Sequence, residues 1–211
     1  MQKILLADDH VIIRSGIKMM IENFLPHSKI DEAGDGNDAF EKIKANEYDL
    51  IILDVNMPNT DSFGLISNIL AVKPDAKILM FSMNSEEMYA KRYLKMGALG
   101  YIRKDKEESE IKKAIMSVMN NTRYLSKEMN DKILKDYFTD KADTNPFDKL
   151  SPREFEIVQQ LIRGNSLSDI CGDLKLQSST VGTYKARIFE KLGCTNLIDL
   201  SDLARLHNII A

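Results

Sequence analysis

Residues 50–58 read Leu50-Ile51-Ile52-Leu53-Asp54-Val55-Asn56-Met57-Pro58. The unbroken apolar run has no helical period, which marks a strand buried on both faces, as in a parallel sheet. It delivers a carboxylate, Asp54, to its C-terminal tip. Open α/β sheets bind their ligands at such strand ends.

The chain on either side repeats the pattern. Ile4–Ala7 is a first apolar strand, followed at once by Asp8 and Asp9, and the periodic apolar positions Val11, Ile12, Ile17, Met20, Ile21 and Phe24 then predict an amphipathic helix stopped by Pro26. Further alternation runs through strands at 29–33, 77–81 and 100–102 and helices at 37–44, 62–72, 86–96 and 108–119. Five strands alternating with five helices predict an α/β fold, a doubly wound five-stranded parallel sheet with helices on both faces. Right-handed crossovers place the ends of strands one, three, four and five on one edge. Asp8, Asp9, Asp54, Ser82 and Lys104 all fall at or just past those ends. A single acidic strand end is usually a helix cap or a solvated turn. Three converging carboxylates repel one another and call for a cation, and all-oxygen ligands favour Mg2+ over zinc. Lys104 adds a positive charge for an anion, and Ser82 a hydroxyl for a phosphoryl oxygen.

These residues carry a resemblance. Asp8-Asp9, Asp54 followed by Met57-Pro58, Ser82, Tyr101 and Lys104 are spaced as in bacterial response-regulator receiver domains, over residues 1 to about 120. The resemblance implies the flavodoxin-like receiver fold and a phosphoryl group accepted on Asp54 from a sensor histidine kinase. It implies Mg2+ held by Asp9, Asp54 and the backbone carbonyl of Asn56, with Asp8 acting through water. Lys104 would then pair with the phosphate, and Ser82 with Tyr101 would form the switch. Receivers commonly follow Met-Pro with a loop ending in Gly, whereas this chain has Asp61-Ser62-Phe63. Gly34-Asp35-Gly36-Asn37-Asp38-Ala39 matches a dinucleotide fingerprint, but the strand before it is mostly polar, and a glycine turn capped by Asn37 or Asp38 explains the same letters.

At 211 residues the chain has room for two domains. A net charge of −3 argues against a non-specific polyanion binder, though a small basic face is compatible with it. Cys171 and Cys194 stand far apart, outside any CxxC, and read as reduced core thiols. No signal peptide or transmembrane run is legible, so a cytoplasmic protein without membrane partners is expected.

After Met119 the sequence turns polar. Ser126–Phe138 then places Met129, Ile133, Leu134, Tyr137 and Phe138 near one helical face, predicting a short helix within a linker spanning 121–147 that either packs on its own domain or couples the domains or helps dimerise, with a hinge over Thr139–Asn145. From 148 to 211 the pattern is all-helical. Ser151-Pro152-Arg153-Glu154 is a capping-box start, Ser166 with Asp169 a second, and Ser179–Leu192 follows a tight turn, with Ser178 expected to take over the capping from Gln177. Four short helices with that turn predict a helix-turn-helix DNA-binding domain.

Leu150-Ser151-Pro152-Arg153-Glu154, Gly164-x-Ser166, Asp169-Ile170-Cys171, Thr180-Val181 and Lys191-Leu192-Gly193 resemble the LuxR-type (NarL/FixJ) effector domain. A receiver joined to such a domain resembles a two-component transcription regulator that dimerises on activation and binds promoter DNA, rather than an enzyme. Family members usually carry Lys after Thr-Val and a nearby His, where this chain has Gly182 and Tyr184. Ser179, Gly182, Thr183, Lys185, Ala186 and Arg187 are the expected DNA-facing residues, with Lys185 and Arg187 on phosphates and Thr183 on a base. Lys185, Arg187 and Lys191 against Glu190 leave that helix a net charge of +2, three minus one. Leu197, Leu200, Leu203 and Ala204 on the last helix are divided between core and dimer contact. The competing expectation is a receiver-controlled module that meets protein instead of DNA, motivated by Gly182 and the weak basic face.

Overall fold

The computed structural model describes residues 1–211 apart from 59, 139–144, 175, 208, 210 and 211, with the backbone alone for 136–138 and 152. The chain forms two units, Met1–Leu134 and Lys135–Ala211.

In the first unit, strands β1 (Lys3–Ala7), β2 (Lys29–Ala33), β3 (Leu50–Asp54), β4 (Ile78–Ser82) and β5 (Gly100–Arg103) alternate with helices α1 (Val11–Phe24), α2 (Gly36–Ala45), α3 (Ser62–Val72), α4 (Glu86–Met96) and α5 (Glu108–Met119). All strands are parallel, in the order β2-β1-β3-β4-β5. The doubly wound sheet expected from the alternation is therefore the fold. The apolar run of β3 is buried at every position because helices cover both faces. Ile4, Leu6, Leu50, Ile52, Leu79 and Phe81 point to one face and pack against Ile17 and Ile21 of α1 and Ile111, Ile115 and Val118 of α5. The polar strand β2 lies at the sheet edge, where only Ala33 is fully covered.

One local reading is corrected. The cap of α2 is Asp35, not Asn37 or Asp38: its extended backbone lets one carboxylate oxygen accept from both Asn37 N–H and Asp38 N–H at 2.9 Å. Gly36 is required by a close approach, since a Cβ there would lie 2.4 Å from Thr60 Cγ2, while its N–H donates to Thr60 Oγ1 at 3.0 Å. The glycine turn preferred over a dinucleotide fingerprint thus has a packing reason. The unusual Asp61-Ser62-Phe63 is also accounted for. Asp61 caps α3 by accepting from Gly64 N–H at 2.9 Å, Ser62 Oγ bonds Tyr93 Oη at 2.8 Å, and Phe63 stacks on Tyr93 at 4.5 Å.

Helix α6 (Lys127–Phe138) begins in the first unit. The side chains of Tyr137 and Phe138, and residues 139–144 of the hinge expected over 139–145, lie outside the described residues, while Asn145 caps the turn that follows by accepting from Phe147 N–H. The second unit has a 3-10 turn (Pro146–Lys149) and helices α7 (Pro152–Ile162), α8 (Leu167–Leu174), α9 (Ser178–Leu192) and α10 (Leu197–Leu206). Phe147, Phe155, Ile157, Val158, Ile170, Val181, Ile188, Leu200 and Ala204 form its core. Both predicted caps form reciprocally: Ser151 with Glu154, and Ser166 with Asp169. Gly164 and Gly193 end α7 and α9 at φ +82° and +68°, a backbone region that a side chain disfavours. Ser178 does not cap α9. It is the first helical residue, and Gln177 occupies the cap position without a side-chain hydrogen bond.

Glu154 is buried, and burial opposes its ionisation. The Lys191 ammonium, at 2.9 and 2.6 Å, and the Ser151 N–H outweigh that cost and hold the carboxyl below its usual 4.5. A carboxyl with a lowered folded pKa stabilises fully above its ordinary value and loses that contribution as pH falls through the folded one. Acid unfolding of the second unit is therefore expected to begin below about pH 4.5. Lys191→Met should cost about 1–2 kcal/mol at pH 7, less than a fully buried pair because Lys191 is partly exposed. Denaturant titrations at pH 7 and pH 4 check both.

Candidate functional site

The carboxyl ends of β1, β3, β4 and β5 bring Asp8, Asp9, Asp54, Ser82 and Lys104 to one edge of the sheet. Asp8 and Asp54 are almost wholly buried, at 0 and 2 % exposure, because the strands that carry them are central. Lys104 follows β5 and reaches between them. Its Nζ lies 2.5 Å from Asp8 Oδ2 and 3.0 Å from Asp54 Oδ2, ion pairs that are not aligned as hydrogen bonds. Burial raises the pKa of Asp54; Lys104 opposes this, and Asp8 adds to the rise.

One imidazole joins the acids. The backbone N–H of His10 donates to Asp8 Oδ1 at 2.8 Å, and its ring Nδ1 lies 3.2 Å from Asp8 Oδ1 and 2.8 Å from Asp9 Oδ1. One ligand atom from each of Asp8, Asp9, His10 and Asp54 lies within 4.8 Å of the others. The sequence reading did not single out His10, although its place directly after Asp8-Asp9 was a usable signal. It also passed over Arg14, whose Nη1 donates to the Asp8 carbonyl at 2.6 Å.

Tyr101 is fully buried beside this edge, and burial pushes its phenol pKa up. Its hydroxyl donates to the Asn84 carbonyl at 3.0 Å, Asn84 N–H donates to Ser82 Oγ at 3.1 Å, and the Asn84 amide donates to Asn56 Oδ1 at 3.2 Å. Asn84 thus links Ser82, Tyr101 and Asn56. Nothing in the sequence period marks it, because its role comes from a loop conformation.

On the second unit, Ser179, Gly182, Thr183, Ala186 and Arg187 share the exposed face of α9, while Val181 and Ile188 face the core. Lys185, on the edge of that face, holds its ammonium 5.4 Å from the Phe189 ring. Thr183 is exposed, and its Oγ1 donates to the Ser179 carbonyl at 2.9 Å. The +2 charge of the helix is overstated, because Lys191 is neutralised by Glu154. Apart from its chain neighbours and the surrounding turns of α9 backbone, a Cβ built on Gly182 would meet nothing within 4 Å among the described residues. Gly182→Ala should therefore stabilise the free protein by up to ~1 kcal/mol through helix propensity, read as a higher midpoint in urea.

Comparison with known proteins decides the family. The description "Response regulator receiver domain" matches residues 4–116, and "Bacterial regulatory proteins, luxR family" matches residues 148–204. The response regulator GacA of Pseudomonas aeruginosa is 30% identical over 210 residues, covering 100% of this chain and 98% of that protein.

The chain belongs to the response-regulator family.

UvrY, a response regulator of Escherichia coli K12, is 29% identical over 209 residues, with 99% of this chain and 96% of that protein covered. The fold of this response regulator resembles that of RcsB from Salmonella enterica serovar Typhimurium, solved bound to the promoter rprA with phosphomimetic BeF3−. The TM-score is 0.72 at 23% identity, over 96% of this chain and 97% of that one. A receiver joined to a luxR-type domain is a DNA-binding regulator, and the competing reading as a module that meets only protein finds no support in these matches. Among the described residues, no helix of the response regulator is long and apolar enough to cross a membrane.

Proposed function

We propose that Asp54 is the phosphoacceptor of this response regulator and that phosphorylation there controls promoter binding by α9. The observation that carries the reading is the buried Asp54 carboxylate, held beside Asp8 and the Lys104 ammonium at the tip of β3. The donor is a phosphohistidine on a sensor kinase. A carboxylate oxygen of Asp54 attacks phosphorus, the P–N bond breaks, and the released imidazole takes up a proton. Lys104 is placed to balance the charge of the phosphoryl oxygens, and the Ser82 hydroxyl to donate to one of them. Once Ser82 is engaged, Tyr101 stays buried and the Asn84 loop stays ordered.

The acidic edge suits a divalent cation. Asp8, Asp9 and Asp54 against Lys104 leave two negative charges, three minus one, and the buried Asp9 Oδ1, 2.8 Å from His10 Nδ1, accepts no aligned hydrogen bond. Oxygen donors favour a hard ion, so Mg2+ is the assignment, with Asp9, Asp54 and the Asn56 carbonyl as ligands and Asp8 acting through water. When bound, Mg2+ neutralises charge on the phosphoryl oxygens during transfer.

On DNA, Arg187 and Lys185 contact phosphates, while Ser179, Gly182, Thr183 and Ala186 lie against the bases, with the Thr183 methyl suited to a thymine methyl. Two copies are needed, because one such module covers little surface, and the outward Leu197 of α10 is available to a partner copy whereas Leu200 and Ala204 belong to the core. The domain limits that go with this reading are a receiver over 1–120, a linker over 121–147 and a LuxR-type domain over 148–211. Gel-shift titration of full-length protein with an acyl phosphate donor and Mg2+ tests the control. Binding tightens in the wild type and stays unchanged in Asp54→Asn.

A further inference from the structure

Residues 117–147 lie outside both family matches, yet the first part of that stretch is firmly built into the receiver unit. Tyr124 pairs alongside Gly100 at the edge of β5: its N–H donates to the Leu99 carbonyl at 2.9 Å, and its carbonyl accepts from Tyr101 N–H at 3.3 Å. Ser126 then starts α6, its Oγ accepting from Met129 N–H at 3.2 Å. The N–H of this buried serine donates to Glu86 Oε1 at 2.8 Å, and Glu86, also buried, is the first residue of α4. Met129 is buried against the same place, Lys132 pairs with Glu87, and Lys106 pairs with Glu128 at 3.8 Å.

The make-up of this contact sets its strength. Tyr124 is anchored by its two backbone hydrogen bonds to β5 and by its hydroxyl, which donates to Glu110 Oε2 at 2.9 Å, whereas α6 itself is held by the buried Met129 and the charge-assisted hydrogen bond to Glu86. The two ion pairs are exposed, so salt screens them and they contribute little. Between α6, α4 and β5 remains a polar cleft of about 480 Å³, lined by Arg103, Asp105 and Lys106 among others. A helix held in this way docks marginally and responds to small shifts of its seat. That seat is tied to the Asn84 loop, because Asn84 stands two residues before Glu86 and its carbonyl accepts the Tyr101 hydroxyl.

We infer that Tyr124–Leu134 is a strap that docks on the start of α4 and the edge of β5 when Tyr101 is buried, and that phosphorylation of Asp54 tightens it. The first half of the inference stands on the contacts above, and the second rests on Asp54 being the phosphoacceptor. Hydrogen exchange of the full-length chain, read on peptides covering 127–134 with and without acetyl phosphate and Mg2+, separates the two. Without a donor, Tyr101→Phe should speed exchange of these amides by roughly tenfold through loss of one hydrogen bond. Met129→Asp should do the same, while amides of β1 and β3 stay protected in both variants. With the donor, wild-type exchange should slow and that of Met129→Asp should not. Unchanged exchange in both variants overturns the strap. If mass spectrometry records phosphorylated Asp54 and α6 exchange does not slow, its coupling to the switch is overturned and the phosphoacceptor reading stands. If both variants loosen α6 but Asp54 never takes phosphate, the strap stands and the phosphoacceptor reading fails.

Discussion

Lys104→Met is expected to destabilise the receiver unit by about 3 kcal/mol at neutral pH. The reason lies in what is left behind. Asp8 and Asp54 are 0 and 2 % exposed and share this one ammonium, so its removal strands two like charges out of water. Such a loss is conditional. Burial raises the Asp54 pKa and Lys104 opposes the rise, so without the ammonium Asp54 takes up its proton more readily and the deficit against wild type should shrink as pH falls. A divalent cation should relieve it too, because the folded variant offers a more negative site and binding to the folded state alone is stabilising. Urea unfolding at neutral and mildly acidic pH, with and without Mg2+, checks all three. A deficit equal under every condition would mean that Lys104 acts through its packing on Phe81, 5.8 Å from the ring centroid, and not through its charge.

Asp54→Asn should act in the opposite sense on stability and abolish the response to phosphate donors. Burial raises the Asp54 pKa, with Lys104 opposing and Asp8 reinforcing. A group whose folded pKa is raised contributes stability below its ordinary value and loses that contribution as pH rises through the folded pKa. At neutral pH the ionised Asp54 is therefore a cost. The neutral amide removes that cost and leaves Lys104 paired with Asp8. In metal-free buffer the melting temperature of Asp54→Asn should rise by on the order of 5 °C, and the rise should vanish near pH 4. Added Mg2+ should stabilise wild type more than the variant, since the variant has lost one anionic ligand. In the same protein, phosphoryl transfer and donor-dependent DNA binding should fall by at least ~100-fold, because an amide is no nucleophile for phosphorus. A variant that melts earlier than wild type in metal-free buffer would contradict the electrostatic account of the site.

The sheet was legible because β1, β3 and β4 are buried on both faces, and burial on both faces leaves an apolar run that only a central parallel strand explains. Once the strand ends were placed, Asp8, Asp9, Asp54, Ser82 and Lys104 followed, since each stands next to such a run. His10, Arg14 and Asn84 were missed for a different reason: they reach the site through loop and first-turn geometry, which no period records. The cap of α2 was misplaced by two or three residues because Asp35, Asn37 and Asp38 are all competent caps, and only the backbone angle at Asp35 chooses among them. The docking of Tyr124–Leu134 left one sequence trace, the amphipathic position of Met129. Its partners Glu86 and Glu87 lie some 40 residues earlier and look like ordinary first-turn acids of α4. In the effector unit, charge counting along α9 overstated the basic face, because a count along one helix does not see Glu154 across the core taking up Lys191.

The most direct test of the central claim is chemical trapping of the phosphoacceptor. Full-length protein is incubated with acetyl phosphate and Mg2+, reduced with borohydride, digested and sequenced by mass spectrometry. The account predicts homoserine in place of aspartate at position 54, dependent on both the donor and the metal, and none at Asp8 or Asp9. Homoserine at another aspartate, or the same yield from Asp54→Asn, would contradict it.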